Sequence, residues 1–344
     1  MLATATLRPT EPTTYVDDIS IRSLADARSL FGAIGTRCRA VVQGRDDTIA
    51  LVLIGLFADG HVLLEDHPGS GKTTLAKALG ESIRRPPGDS FAAYRRIQFT
   101  PDLLPSDITG GMVFDADSRQ LAFRPGPVFA NLVLADEINR TSPKAQAALL
   151  EAMAEKQVTV DNQTHELEEL FFVIATQNPL DLAGTYPLPR AQLDRFLFKI
   201  KMTYLGREDE LEVLSRRAAT RENPPTFTVP PRALLAARRL VQDGVTVSAA
   251  VHDCLVDIAG ALRKDPRVSQ AISTRSLVMA VPALQARAMM LGRDYVSPKD
   301  VRALAVPLFS HRLELVPGVR DADAVVTECA IPVIEAFTRK SLAA

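Results

Sequence analysis

The sequence predicts an α/β fold with a mostly parallel sheet, followed by a smaller all-helical domain. In the first two-thirds of the chain, short β-like runs alternate with stretches of helical pattern. Alternation of this kind is typical of a parallel sheet that is covered by helices. After Tyr204, one helical stretch follows another. We therefore expect a flexible tail over residues 1–20, an α/β core over 21–204 and a helical domain over 205–344.

Five runs of apolar residues are the predicted strands of the sheet. They are HVLLE (61–65), RRIQF (95–99), ANLVLAD (130–136), LFFVIAT (170–176) and FLFKIKM (196–202). Two further segments, at 110–123 and 157–167, each have two β-like arms around turn-forming residues. These two segments predict hairpins that are inserted into the core.

The helical region contains one clear helix start and an alternative boundary. Ser297 is a predicted N-cap, Pro298 occupies the first turn, and Asp300 completes the spacing of a capping box. The proline-rich stretch NPPTFTVPP at 223–231 is a second candidate for the linker. If that stretch is the linker, the helical domain begins later than residue 205.

Composition and net charge limit which classes of protein and which kinds of partner the sequence allows. With 47% apolar and 24% charged residues, the chain has the composition of a folded protein with a proper core. Forty basic residues stand against 41 acidic ones. This balance disfavours nucleic acid as a partner, although it still allows a local basic groove. Cys38, Cys254 and Cys329 lie far apart, which indicates neither a disulfide framework nor a zinc site.

The sequence also bears on location. The first residues lack a basic region followed by an apolar stretch, so we expect no signal peptide. The longest apolar run, Ile49 to Ala58, is about half the roughly 20 residues that a membrane span needs. We therefore interpret this run as a buried helix and expect a soluble, cytoplasmic protein without a membrane span.

The stretch LEDHPGSGKTT (64–74) predicts a phosphate-binding loop between a strand and a helix. In this type of loop, backbone N–H groups and the helix N-terminus point at the phosphates, a lysine adds charge, and a hydroxyl ligates magnesium. Asp66 stands where the pattern G-x-x-x-x-G-K-[ST] has its first glycine, and we interpret Asp66 as a turn residue. The predicted ATP-binding residues are Pro68, Gly69, Ser70, Gly71, Lys72, Thr73 and Thr74.

Five polar residues that lie at the ends of predicted strands or at the start of a predicted helix complete a candidate catalytic set. Asp136, at the end of a strand, is predicted to hold Mg²⁺ together with Thr73, and Glu137 is predicted to act as general base. Asn178 is a candidate for holding the attacking water. Arg195 and Arg275 are candidates for stabilising charge in the transition state.

These residues together resemble the MoxR family of AAA+ ATPases. The matching stretches are HVLLEDHPGSGKT, FRPGPVFANLVLADEINRTSPKAQAALLEAMAEKQVTV, FFVIATQNPLDLAGTYPLPRAQLDRFLFKI, STRSL and RDYVSPKDVRALAVPLFSHRL. The resemblance covers residues 40–315. It implies a five-stranded AAA+ P-loop core and a small helical lid, with the phosphate-binding loop as Walker A and LVLADE as Walker B.

The resemblance also implies an assembly and roles for individual residues. It makes Asn178 sensor 1, Arg275 sensor 2 and Arg195 the arginine finger that reaches the nucleotide of a neighbouring subunit, so it implies a homo-oligomer, a hexameric ring. The two hairpins would then face the pore of that ring. Arg190 stands where the family pattern has glutamate, which leaves open whether Arg190 or Arg195 is the finger.

The implied function is chaperone-like remodelling or maturation of a protein client. This maturation would include metal or cofactor insertion, often with a partner that has a von Willebrand factor A domain. A nucleic-acid motor with the same two insertions is the alternative, but its hairpin tips should be basic. Here the tips read DADSR and VDNQTHE, which are neutral to acidic. A nucleotide-gated scaffold without turnover is a third hypothesis.

Overall fold

The computed structural model describes residues 20–65, 70–85, 89, 91–116, 119–178, 184–216 and 227–343. The elements of the first part are α1 (Leu24–Val41), α2 (Asp46–Phe57), β1 (His61–Glu65), α3 (Lys72–Gly80), β2 (Ala92–Gln98), α4 (Pro105–Thr109), β3 (Gly110–Asp115), β4 (Gln120–Pro125), β5 (Ala130–Asp136), α5 (Pro143–Glu155), β6 (Gln157–Val160), β7 (Gln163–Glu166), β8 (Phe172–Gln177), α6 (Arg190–Leu193) and β9 (Phe196–Lys201). The second part contains α7 (Arg207–Arg216), α8 (Pro231–Gly244), α9 (Ala249–Lys264), β10 (Val268–Gln270), α10 (Thr274–Met290), α11 (Pro298–Phe309), β11 (Glu314–Leu315) and α12 (Ala322–Ala343).

The predicted five-stranded parallel sheet is confirmed, with the strand order β2-β5-β8-β1-β9. All four neighbouring pairs of this sheet are parallel. β2 begins earlier than the predicted residue 95, because Ala92 pairs with Ala130 and Tyr94 with Leu132. The position of β5 beside β2 extended the strand, and this position was not evident from the sequence.

The two faces of the sheet belong to two apolar cores. β5 is buried along its whole length, as expected of a central strand covered on both sides. Leu132 and Leu134 belong to the core that also contains α1, α2, α3 and the C-terminal helices. Val133 and Ala135 point the other way, into the core that is formed with α4 and α5.

The predicted buried helix over residues 49–58 corresponds to α2. Its Ile49, Val52, Leu56 and Phe57 side chains are almost fully buried between the sheet and α8 and α10. Each such side chain contributes about 1.5–3 kcal/mol of hydrophobic stabilisation, so α2 joins the sheet to the C-terminal helices. Within the part of the chain that the structure describes, no helix is both long and apolar enough to cross a membrane.

Both predicted hairpins are present, and they contact each other. β3 pairs with β4, and β6 pairs with β7, each in antiparallel fashion. The Phe123 ring of the first hairpin stacks on the His165 ring of the second, with ring centroids 3.7 Å apart. At the base of the first hairpin, Gly110 has φ +88°, and a Cβ there would lie 2.2 Å from the Arg124 carbonyl oxygen. Only glycine fits that position.

The helical region follows the predicted pattern and adds a small sheet. α11 begins as expected, because the Ser297 N–H donates to Asp300 Oδ2 over 2.8 Å. Asp300 is fully buried and also accepts from Arg293 over 2.7 Å. β10 and β11 form a two-stranded antiparallel sheet that the helical pattern did not predict, because strands of two or three residues have too few positions to show a period.

A buried histidine joins three elements of the core. His61 Nδ1 accepts a hydrogen bond from the Val173 N–H over 3.0 Å, and Nε2 lies 3.2 Å from the Met153 carbonyl oxygen. These contacts fit a neutral ring that is protonated on Nε2. Burial lowers the pKa of His61 to about 4.

We expect this histidine to make stability depend on pH. Below its unfolded pKa of about 6.5, the unfolded chain binds a proton that the folded chain rejects until about pH 4. The free energy of unfolding should therefore fall by about 2 kcal/mol between roughly pH 6.5 and pH 5 through His61 alone.

Urea unfolding at these two pH values, for the wild type and for His61→Gln, measures this effect. The variant should lose less stability on acidification than the wild type. His252→Gln, which changes an exposed histidine of α9, is the control and should behave as the wild type does. An equal loss in His61→Gln would contradict the assignment.

Candidate functional site

The carboxyl ends of the parallel strands form the edge on which the predicted nucleotide residues lie. In the strand register, Glu65 is level with Gln177, and Gln98 is level with Asp136. Lys72, the first residue of α3, follows β1 on this edge. Crevices at the carboxyl edge of such sheets are the usual place for ligands.

The start of α3 has the properties of an anion site. Gly71 has φ +91°, a conformation that suits glycine, and it turns the chain directly into the helix. The first N–H groups of a helix have no partner within the helix, so they can bind phosphate. Ser70 Oγ is buried and has no hydrogen-bond partner among the described residues. A phosphate oxygen would satisfy it.

Three further residues of the predicted loop, Lys72 to Thr74, form the first turn of α3. Lys72 and Thr73 are half-buried, and Thr74 is exposed. The predicted positions Asp66, Pro68 and Gly69 lie outside the described residues. The structure therefore describes the helical end of the predicted loop.

Thr176 fixes the two acidic residues at the end of β5, Asp136 within the strand and Glu137 directly after it. Its Oγ1 donates to Asp136 Oδ1 over 2.7 Å and accepts from the Glu137 N–H over 2.9 Å. Glu137 is in the left-handed region, with φ 58° and ψ 50°, which turns the chain sharply after the strand. Asp136 is buried at the strand end, and Glu137 points along the same edge.

Two residues of β2 each contact one of these carboxylates: Arg96 contacts Asp136, and Gln98 contacts Glu137. Neither residue was predicted from the sequence. The Arg96 guanidinium donates to Asp136 Oδ2 over 2.6 Å and to Gln98 Oε1 over 2.7 Å. Gln98 Nε2 in turn donates to Glu137 Oε2 over 3.0 Å. Arg96 and Gln98 are two residues apart and therefore face the same side of the strand. Their spacing was visible in the sequence, but the position of β2 beside β5 was not.

Asn178, the candidate for holding the attacking water, lies beside this group. It follows β8 and is nearly buried. Its backbone carbonyl accepts from Asn139 Nδ2 over 3.4 Å, and Asn139 lies in the short turn directly after Glu137. The structure thus brings Lys72, Asp136, Glu137 and Asn178 to one edge of the sheet.

Arg195 lies at the opposite edge. It directly precedes β9, whose first residue, Phe196, is level with His61, the first residue of β1. The length of β9 separates this amino edge from the carboxyl edge by roughly 17 Å. Arg195 donates to the Leu150 carbonyl of α5 and borders a cavity of about 390 Å³.

Arg275 is also at the amino edge. It is the second residue of α10 and is exposed. The next residue, Ser276, donates from Oγ to Asp194 Oδ1 over 3.1 Å, directly beside Arg195 in the chain. Arg190, at the start of α6, is exposed as well. The backbone segments that carry Arg195 and Arg275 therefore meet at the amino edge, and the predicted nucleotide residues lie at the opposite edge.

Comparisons with known proteins agree with this geometry. The family model "ATPase family associated with various cellular activities (AAA)" matches residues 61–198, and the "AAA lid domain" model matches residues 260–329. The lid match lies inside the predicted helical domain, whose boundary near residue 205 stays a prediction.

Similar proteins cover most of the chain. A protein of Bacillus subtilis named "Uncharacterized protein YeaC" is 44% identical over 88% of this chain and 94% of its own. "Chaperone MoxR1" of Mycobacterium tuberculosis is 38% identical over 80% of this chain and 74% of its own. "Protein MoxR" of Paracoccus denitrificans is 30% identical over 86% and 92%, respectively.

A solved structure shares the fold. It is a crystal structure from Cytophaga hutchinsonii whose name assigns it as a candidate ATPase, with 34% identity and a TM-score of 0.78 over 92% of this chain and 96% of that one. Together with the sheet order and the residues at its carboxyl edge, these similarities show that the chain belongs to the MoxR family of AAA+ ATPases.

Proposed function

We propose that this protein hydrolyses ATP as a subunit of a homo-oligomeric ring, a hexamer, and uses the hydrolysis to remodel or mature client proteins. The observation that carries the proposal is the separation of the two edges of the sheet. The nucleotide residues lie at the carboxyl edge, and the arginines lie at the amino edge of the same chain. A complete site therefore requires a second chain, which an oligomer supplies.

At the carboxyl edge, the donors match a nucleotide and its metal. The N-terminus of α3, Lys72 and the unpaired Ser70 hydroxyl suit phosphate oxygens. Thr73 and Asp136 would hold Mg²⁺, since hydroxyl and carboxylate oxygens are its usual protein ligands. The metal would supply charge neutralisation on the phosphates.

Glu137 is the proposed general base, and Asn178 the residue that holds the attacking water. In this structure the Glu137 carboxylate is occupied by Gln98, and Arg140 lies 3.4 Å away. Both contacts are made to Oε2. A carboxylate accepts at both of its oxygens, so Oε1 is the atom that is proposed to take the proton from the attacking water, while Gln98 restrains the side chain through Oε2.

At the amino edge, Arg195 and Arg275 are proposed to act on the nucleotide of the neighbouring subunit. Cationic groups stabilise the charge that develops on the transferred phosphoryl group. Arg195 is held against α5, whereas Arg190 and Arg275 are exposed. Their common location supports a shared task at one subunit interface.

The first hairpin supports a protein client. Phe114 and Leu121 are direct cross-strand partners and are 62% and 64% exposed. A pair of large apolar side chains at a hairpin end suits an unfolded polypeptide, whereas nucleic acid would favour lysine and arginine there. A relative is named "Chaperone MoxR1", which agrees with this proposal. A partner with a von Willebrand factor A domain, and metal or cofactor insertion, stay part of the proposal.

The first test concerns the nucleotide. We expect Lys72→Ala to weaken binding of a fluorescent ATP analogue about 100-fold, because a charge-assisted hydrogen bond contributes up to about 3 kcal/mol. Lys77→Ala, on the exposed side of the same helix, is the control and should bind as the wild type does. Tight binding by Lys72→Ala would contradict the phosphate-binding loop.

The general base is tested by a separate variant. Glu137→Gln should bind nucleotide normally but release no phosphate. Unchanged phosphate release would instead indicate a nucleotide-gated scaffold.

The second test separates the two candidate fingers. Arg195→Ala should retain nucleotide binding but lose the hydrolysis that rises with protein concentration, because the arginine would serve a neighbouring chain. Phosphate release per subunit, measured over the protein concentrations at which the rings form, shows this loss. Light scattering monitors the assembly at the same concentrations. If Arg190→Ala alone abolished it, Arg190 would be the finger, and a rate per subunit that is independent of concentration would refute the shared site.

The third test concerns the client. Substituting serine at both Phe114 and Leu121 should abolish stimulation of hydrolysis by reduced, carboxymethylated α-lactalbumin, a permanently unfolded probe, because the loss of apolar contact weakens binding about ten-fold or more. Basal hydrolysis should persist. Val256→Ser removes a similarly exposed apolar side chain from α9 and serves as the control. Stimulation by single-stranded DNA that declines with salt would instead favour a nucleic-acid motor.

A further inference from the structure

Asp194 connects the segment that carries Arg195 to the helix that carries Arg275. Its Oδ1 accepts from Arg312 Nε over 2.8 Å and from Ser276 Oγ over 3.1 Å. Arg195 directly follows Asp194, and Arg275 directly precedes Ser276. Each candidate arginine is thus one residue away from a group in this hydrogen-bonded cluster, although the two arginines are 80 positions apart in the sequence.

Arg312 makes the cluster rigid. Its side chain is only 2% exposed, and its guanidinium donates to the carbonyl oxygens of Phe196 over 2.7 Å, Leu197 over 3.4 Å and Leu308. His311 Nε2 lies 3.1 Å from the same Phe196 oxygen. The start of β9 is therefore bound to the end of α11 through backbone acceptors.

The charges at this edge require the Asp194 carboxylate. Burial lowers the pKa of Arg312 to about 10, Asp194 opposes that shift, and the nearby Arg275 adds to it. Arg312 therefore stays charged at neutral pH, and a buried cation without an anion is strongly unfavourable. Asp194 therefore offsets the repulsion between Arg275 and Arg312 and binds the start of α10 through Ser276.

We propose that Asp194 is a positioning residue that presents Arg195 and Arg275 as one unit to the nucleotide of the neighbouring subunit. The inference rests on the proposed function, because it assumes a site shared between chains. It adds that the two arginines do not act independently. A shift of α10 displaces Arg195 through Ser276 and Asp194, and a misplacement of about 1 Å can lower a rate substantially.

Mixed assemblies test the proposal because they assign each substitution to one side of an interface. The donor chain carries Lys72→Ala, so it supplies arginines but no nucleotide. The acceptor chain carries Arg195→Ala, so it supplies nucleotide but no finger. Each chain alone should be inactive, and the mixture should regain hydrolysis where the arginine edge of a donor meets the nucleotide of an acceptor.

Ser276→Ala is then added to only one of the two chains. In the donor it should lower the hydrolysis of the mixture about ten-fold with unchanged nucleotide affinity. In the acceptor it should have no effect, because the arginine edge of that chain takes no part in the active interfaces. A merely structural role would lower hydrolysis equally from either chain.

The outcomes distinguish failure of the shared site from failure of the role of Asp194. If the mixture without further substitution regains no hydrolysis, the proposed shared site is wrong. If it regains hydrolysis, and Ser276→Ala in the donor has no effect or acts equally from both chains, the role of Asp194 is overturned. Asp194→Asn in the donor should act more strongly than Ser276→Ala. Ser276→Ala retains the ion pair between Asp194 and Arg312. It therefore tests the role of Asp194 even if Asp194→Asn does not fold.

Discussion

The common direction of the five strands is the constraint on which the rest of the structure depends. Parallel strands place all their carboxyl ends at one edge of the sheet and all their amino ends at the other. Lys72 and Asp136 follow carboxyl ends, whereas Arg195 precedes an amino end. One strand length lies between these groups, so one copy of the chain holds the two halves of the proposed site apart. This separation is the physical reason for proposing that the site is completed by a second copy of the chain.

At the carboxyl edge, hydrogen bonds from neighbouring strands decide the orientation of the acidic residues. Thr176 of β8 holds Asp136 and turns Glu137, while Arg96 and Gln98 of β2 occupy the two carboxylates. β2 is also the strand that leads through α4 into the first hairpin. The strand that restrains the proposed base is therefore continuous with the segment that is proposed to contact the client. This continuity provides a short covalent route between the two.

At the amino edge, a buried cation organises residues that are distant in sequence. Arg312 binds the start of β9 through backbone oxygens, and its charge is matched by Asp194. The same carboxylate oxygen accepts from Ser276, so a single atom of the core binds two residues of the helical region. The apolar core between α2 and the C-terminal helices supplies most of the cohesion between the two parts, because apolar burial is additive over many side chains. The polar cluster instead fixes the position of the start of α10 relative to the start of β9.

The sequence alone determined most of the elements and most of the candidate site. Apolar runs of strand length, alternation with helical pattern and the turn residues of two hairpins were sufficient for the five strands and both insertions, because these signals are local. The motif around Lys72 and the acidic pair after β5 were recognisable for the same reason. Tertiary structure decided which strands are neighbours, and therefore that Arg96 and Gln98 contact the acidic pair. It also decided that the start of α10 meets the segment before β9 through Ser276 and Asp194. Contacts between residues about 80 positions apart depend on packing, which leaves no periodic trace in the chain.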